Sequence, residues 1–335
     1  VTMSLQATDE GPDPTGEVIA ATDIEDLEAS VFPWQFDMRQ MSRGAMDARI
    51  QLGLVGDILA TREHWSKTVV ARGSSPAGYL ALAGTDSKKS FKWCGAEIDS
   101  RHLVCGLDAA DCDFATPDDE FHWVVLIPQE SLADYLGPRT VESLRGRRVL
   151  RCAPELSSRL FRLATRAVQP RRQKSPETMV LRAELLEAAS QLITGESGTR
   201  KYSQRQRHYR VWRRAISITD SLRAPVKVPE LASQVGVSRR TLERAYDEIV
   251  GVSPYRFSRL LRLNRLHREL RQARGQQRSV TEILGNWGFT ELGRTAVEYR
   301  HLFGESPSVT LVGRPLSPSL KLADALLAAP SATFT

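Results

Sequence analysis

Two short stretches hold residues whose types and spacing suit contact with a polyanion. The first runs Ser238, Arg239, Arg240, Thr241, Leu242, Glu243, Arg244. An arginine fork can hold guanine O6 and N7 together, and a glutamate can accept from cytosine N4. Arg240 and Arg244 stand four apart, so a helix places them on one face. Ser238 is the kind of residue that caps a helix start by accepting from a nearby backbone N–H. The second stretch offers Glu291, Gly293, Arg294 and Glu298 on its exposed face, with Thr290 expected as the cap. That face is much less basic.

The elements that must position these residues form an imperfect repeat. LASQVGVSRRTLERAYDEIVGVSP (231–254) is answered by ILGNWGFTELGRTAVEYRHLFGESP (283–307). Leu231 and Ile283, like Gly236 and Gly288, lie 52 apart, whereas Gly251/Gly304 and Pro254/Pro307 lie 53 apart. Each copy predicts a short helix, a sharp turn and a second helix. Gly236 and Gly288 supply the positive φ such a turn needs. Leu242, Ala245, Tyr246 and Ile249 are expected to face inward in the first copy, and Leu292, Val297, Tyr299 and Leu302 in the second. The exposed positions early in each second helix are then free to meet a major groove.

Between the copies, SPYRFSRLLRLNRLHRELRQA (253–273) carries Phe257, Leu260, Leu261, Leu263, Leu266 and Leu270 at helical spacing. A helix of this length spans about 30 Å, close to the ~34 Å of one turn of B-DNA. It is expected to hold the two second helices in successive grooves. Its arginines (Arg256, Arg259, Arg262, Arg265, Arg268, Arg271) face either phosphates or solvent. Arg259 and Arg262 are the candidate contacts among them.

Charge follows the same division. Residues 200–315 hold 23 Lys/Arg against 10 Asp/Glu, leaving 23 against 30 in the rest of the 335-residue chain. A basic segment joined to an acidic one fits a polyanion-binding domain beside a non-binding one. The four cysteines show no metal-ligand spacing and are expected to be reduced in a cytoplasmic protein. No apolar run is long enough to cross a membrane, and the first residues do not read as a signal peptide. No phosphate loop, metalloprotease motif or nucleophile elbow occurs, so no enzyme, cofactor or metal is expected.

The N-terminal half reads differently. Apolar runs at 48–60, 68–73, 78–84, 101–107 and 122–128, separated by Gly, Pro, Asp and Ser, predict strands and tight turns. Helical spacing follows at 131–137, 155–169 and 179–194. Trp34, Phe36, Trp65, Tyr79, Trp93 and Trp123 are candidates to line an effector pocket, against the plainer reading that they fill a core. His64, His102 and His122 lack the H-x-H spacing of a metal-binding barrel. The expected division is a disordered acidic tail (1–30), a strand-rich effector-binding and dimerisation domain (31–170), a helix and linker (171–204), a double helix-turn-helix domain (205–316) and a flexible tail (317–335). The fold class is α+β, a cupin-like partial barrel followed by an all-α domain.

The pattern L-A-x-x-x-G-V-S-x-R-x-L-x-R, the Arg262-Leu263 pair and G-F…F-G-x-x-P over 288–307 resemble the AraC/XylS family of bacterial regulators. The resemblance covers about residues 205–316. It implies a seven-helix DNA-binding domain with a leading helix near 208–222, binding to double-stranded promoter DNA, and activation through RNA polymerase. By position it places base-reading side chains at Arg240, Glu243 and Arg244, and around Leu292, Gly293, Arg294 and Val297. Leu284, Gly293 and Thr295 depart from the pattern, which would weaken the second unit's packing and turn it toward phosphate anchoring. The N-terminal half resembles sensing domains of ethanolamine-operon and amine-utilisation regulators, on Trp34-Gln35-Phe36, Arg72-Gly73-x-x-Pro76 and His122-Trp123. These readings imply an effector-responsive activator acting as a homodimer. The alternatives are a repressor, or a regulator controlled by a protein partner.

Overall fold

Residues 120–128, EFHWVVLIP, are apolar almost without alternation because a strand there is covered on both faces. The computed structural model, which describes residues 16–31, 34–85, 88–145, 149–195, 203–220 and 222–313, shows what covers it. In chain order the N-terminal elements are β1 (Val18–Ala21), α1 (Ile24–Ser30), β2 (Gln35–Gln40), β3 (Ala48–Val55), β4 (Ile58–Trp65), β5 (Val69–Ser74), β6 (Tyr79–Thr85), β7 (Phe91–Trp93), β8 (Ala96–Ile98), β9 (His102–Leu107), β10 (Cys112–Ala115), β11 (Glu120–Pro128), α2 (Gln129–Leu136), α3 (Pro138–Glu142), β12 (Val149–Arg151), α4 (Pro154–Ala167) and α5 (Pro176–Thr194). They make one sheet ordered β1-β3-β4-β11-β6-β9-β12 and another ordered β2-β5-β10-β7-β8. Val124 and Leu126 of β11 enter a core with Met38, Ala71 and Phe114 of the second sheet. Trp123, Val125 and Ile127 enter another with Leu160 of α4 and Leu185 of α5.

Residues 18–30 are not part of a disordered tail, as their acidic composition suggested. β1 pairs with β3, and Ile24 and Leu27 of α1 are fully buried. Asp23 caps α1 by accepting from the Glu25 N–H. Residues 1–15 and 317–335, read as tails, lie outside the described residues, as does most of the polar segment 195–207.

The C-terminal part is helical: α6 (Ser203–Thr219), α7 (Val228–Val235), α8 (Arg239–Val250), α9 (Pro254–Gln272), α10 (Val280–Asn286), α11 (Leu292–Phe303) and α12 (Pro307–Val312). Seven helices among the described residues match the number the resemblance implied. The chain is thus mixed α and β, with a strand-rich N-terminal part and a helical C-terminal one. Helix α9 buries Phe257, Leu260, Leu261, Leu263, Leu266 and Leu270, and also Ser258, Arg262, Asn264 and His267. It is covered on nearly every side, partly by the N-terminal domain.

That seam is polar and specific. Asn264 exchanges two hydrogen bonds with the Gln40 backbone, accepting from its N–H at 2.8 Å and donating to its C=O at 2.9 Å. Asp220 gathers Arg39, Arg72 and Arg265, and the buried Asp113 accepts from Arg72 and from the Tyr209 hydroxyl. The acidic start of α1 meets the end of α9: Arg268 pairs with Glu28, and Arg271 with Asp23 and Asp26. His267 sits among them. Tyr299 donates its hydroxyl hydrogen to Thr310, so its oxygen accepts from His267 Nδ1, while Nε2 lies 2.7 Å from Asp23 and 3.2 Å from Glu25. Both ring nitrogens therefore donate, which makes His267 an imidazolium. Beside it lies a cavity of about 200 Å³ reached by Asp26, Gln40, Arg274 and Glu305.

Burial opposes charge on His267, but the hydrogen bonds and charges of Asp23 and Glu25 outweigh it and raise the imidazolium to about 9. Burial also raises Glu25, to about 7, whereas the burial of Asp23 is outweighed by its hydrogen bonds to His267 and Glu25 together with the charges of His267 and Arg271, which hold it well below the usual carboxylate range. A group raised on folding contributes stability below its unfolded pKa and loses it as pH rises through the folded value. Both raised groups therefore act in the same direction. The melting temperature of the full chain should fall between pH 6.5 and 9, and His267→Gln, which cannot titrate, should flatten that slope. Parallel pH profiles for the two proteins would contradict the charged seam.

Candidate nucleic-acid interface

The first unit follows local rules throughout. Helix α7 ends at Gly236 with φ +76, and α8 starts at Ser238, whose hydroxyl accepts from the Thr241 N–H. Leu242, Ala245, Tyr246 and Ile249 are buried, as their spacing required. Arg239 and Glu243 pair with each other at 2.8 Å. Arg240 and Arg244 are exposed and make no ion pair or side-chain hydrogen bond with any described residue. Two unpaired guanidinium groups thus project from one face of a short capped helix.

The second unit departs from expectation at its helix start. Thr290 does not cap α11. The residue before the helix is Glu291, and its side chain makes no capping bond. Leu292 and Val297 do not face inward: they are 39% and 54% exposed, whereas Thr295, Tyr299, Leu302 and Phe303 are buried. Helical geometry gives the reason. At 100° per residue, Val297 stands about 200° from Tyr299 and cannot share its face. Leu284 and Thr295, two of the departures from the family pattern, are both buried. Arg294 is exposed but lies 3.2 Å from Glu291 and 3.6 Å from Glu298.

The arginines of α9 mostly serve the protein. Arg262 is only 3% exposed and donates to the backbone carbonyls of Trp287 and Gly288, with its guanidinium over the Phe289 ring. Its expected role as a DNA contact is therefore corrected to a clamp on the end of α10, where carbonyls lack helical partners. Arg259 is tied to Glu298 of α11 at 2.5 Å and keeps about a quarter of its surface. Arg265, Arg268 and Arg271 face Asp220 or the acids of α1 and β2. Arg256 alone of the six is exposed with no ion-pair partner among the described residues.

The aromatic residues considered for an effector pocket divide between two cores. Trp34 stacks on Phe36, both meet Trp93, and Phe114 joins Phe36, Trp93 and Trp65. Tyr79 packs at the edge of this inter-sheet core. Trp123 lies on the other face of the larger sheet, under the helices, so the six do not line one space. Glu63 and His122 are also buried, His122 edge-on to Trp65. Glu63 Oε2, His122 Nδ1 and the indole nitrogens of Trp65 and Trp93 find no hydrogen-bond partner among the described residues, although Glu63 Oε2 lies 3.4 Å from His122 Nε2. His64, His102 and His122 pair separately with Asp119, Asp99 and Glu63.

A family model described as a helix-turn-helix domain matches residues 231–311. Over 87 residues the chain is 38% identical to the probable thc operon regulatory protein of Rhodococcus erythropolis, covering 26% of each chain. It is 34% identical over 94 residues to the XylDLEGF operon transcriptional activator of Pseudomonas putida, covering 28% of this chain and 29% of that one. The matched region thus spans under a third of these relatives. Among solved structures, the AraC-like transcriptional activator CuxR aligns with 81% of this chain and all of its own, at 14% identity and a TM-score of 0.42. ToxT from Vibrio cholerae aligns with 84% of this chain and 99% of its own, at 13% identity and a TM-score of 0.29.

The clamp assigned to Arg262 has a measurable consequence. Arg262→Ala removes the charged donor from the Trp287 and Gly288 carbonyls and should lower stability by about 1–3 kcal/mol in urea unfolding. Arg262→Lys should recover little, since one ammonium cannot reproduce the fork. Unchanged stability together with a shallower salt dependence of DNA binding would return Arg262 to the phosphate-contact role.

Proposed function

We propose that this chain is an AraC/XylS-type transcription regulator that binds double-stranded promoter DNA in a sequence-specific manner through its two helix-turn-helix units. The observation that carries the reading is the pair Arg240 and Arg244, exposed and without an ion-pair partner among the described residues, on the face of α8 that points away from the core. In a helix-turn-helix, that helix enters the major groove. The positive balance of residues 200–315 supports the same partner. Ser238, Arg239, Thr241 and Glu243 flank the two arginines in this reading.

Relatives named as operon activators over the same segment support activation; RNA polymerase is the protein partner this proposal adds. A homodimer would set two such readers on one promoter. The N-terminal domain is the sensing part of the proposal. Buried nitrogen atoms of Trp65, Trp93 and His122 that lack a hydrogen-bond partner among the described residues support a small-molecule effector taken up between the sheets.

Selection of duplexes from a randomised pool by the full chain supplies the site on which the reading is tested. Arg244→Ala should weaken binding to the selected site by about 1–3 kcal/mol and relax the preference at one base pair. Equal weakening on every duplex, selected or not, would show that Arg244 meets only the backbone.

A further inference from the structure

The two second helices can be aligned on their structure alone. Each has 12 residues and ends at a left-handed glycine, Gly251 with φ +69 and Gly304 with φ +78. Arg239 therefore corresponds to Leu292, Arg240 to Gly293 and Arg244 to Val297. The positions that hold two exposed guanidinium groups in the first unit hold no side chain and an isopropyl group in the second.

Neither residue is explained by the fold. Val297 is 54% exposed, opposite the buried face of Tyr299 and Leu302. Gly293 lies in the first turn of α11, where a Cβ would meet nothing within 4 Å. Glycine weakens a helix and is favoured where another backbone must come close. Of the charges around these two, Arg294 is matched by Glu291 and Glu298 and Arg259 by Glu298, whereas Arg300, one turn beyond Val297, is exposed with no ion-pair partner among the described residues. At the two positions where its sister carries Arg240 and Arg244, this unit presents Gly293 and the exposed, apolar Val297.

In the major groove the apolar group on offer is the thymine C5-methyl, which side chains such as Ala and the Thr methyl contact. We infer that the second unit reads thymine through Val297, with Gly293 letting α11 approach the groove floor and Leu292 extending the apolar surface. This inference rests on the reading of the chain as a two-unit DNA binder and adds what the second unit recognises. The site is then chemically asymmetric: one element read by arginine forks at guanine, the other by methyl contact at thymine. It also departs from the expectation that the second unit mainly anchors phosphates.

The test removes the methyl from the DNA rather than from the protein. The full chain selects its site from a randomised duplex pool, and each thymine of the second element is then replaced singly by deoxyuridine, which keeps the base pair and loses only the methyl. At one position the wild-type chain should lose about three- to fivefold in affinity, the worth of one buried carbon group. Val297→Ala, an exposed substitution that leaves the core intact, should lose a similar factor on thymine and nothing further on deoxyuridine. A second element with no preferred thymine would overturn the inference, as would equal losses on deoxyuridine for Val297→Ala and wild type, or indifference to the methyl at every position. In each case selective binding through the first element would leave the reading of the chain as a sequence-specific DNA binder standing. Absence of any selected sequence would remove that reading itself.

Discussion

The burial of helix α9 is the constraint on which the rest depends. A 19-residue helix rich in arginine would ordinarily show one apolar stripe and leave its basic face to solvent. In this chain the first unit, the second unit and the N-terminal domain all lie against it, so most of its polar groups need a partner inside the protein. Arg262 satisfies the carbonyls that end α10, Arg259 ties α9 to α11, and Asn264 bonds to the backbone of β2. Each pairing fixes an angle as well as a distance. The two units are thereby held to one rod about 28 Å long.

The N-terminal domain reaches the same rod away from the residues proposed to read DNA. Its contacts fall on Asn264, His267, Arg268 and Arg271 of α9, and on the His301 and Leu302 carbonyls at the end of α11. It also touches the far end of α8, where Lys92 donates to the Glu248 carbonyl. None of these contacts involves Arg240, Arg244, Gly293 or Val297. The strand-rich domain therefore buttresses both units while leaving their outer faces open. A change in its packing would act on the relative placement of the units rather than by uncovering them.

What is legible in the sequence is what short-range chemistry decides. Gly236, Ser238 and Gly251 mark the turn, the cap and the end of α8 by their own backbone and capping preferences. The strands buried on both faces show as apolar runs. What stays hidden depends on partners far along the chain. Residues 18–30 look like an acidic tail until Arg268 and Arg271, more than 230 residues on, supply the opposite charges. Arg262 looks like a phosphate contact until Trp287 and Gly288 come beneath it. Leu292 and Val297 look inward-facing because apolar residues usually are, although the wheel through Thr295, Tyr299 and Leu302 already turns Val297 outward. Trp123 resembles the other aromatics of the domain because residue type does not reveal which face of β11 it takes.

The central claim, that α9 sets a fixed separation between two reading helices, is tested most directly by spacing. Base pairs are inserted singly and then in longer runs, up to about half a turn of B-DNA, between the two elements of a selected duplex, and the affinity of the full chain is measured at constant salt. A rigid rod predicts a steep loss with the shortest insertions, down to the affinity of a duplex carrying one element alone. Affinity that stays level as the elements are rotated and moved apart would mean that the two units move independently, which contradicts a spacer role for α9.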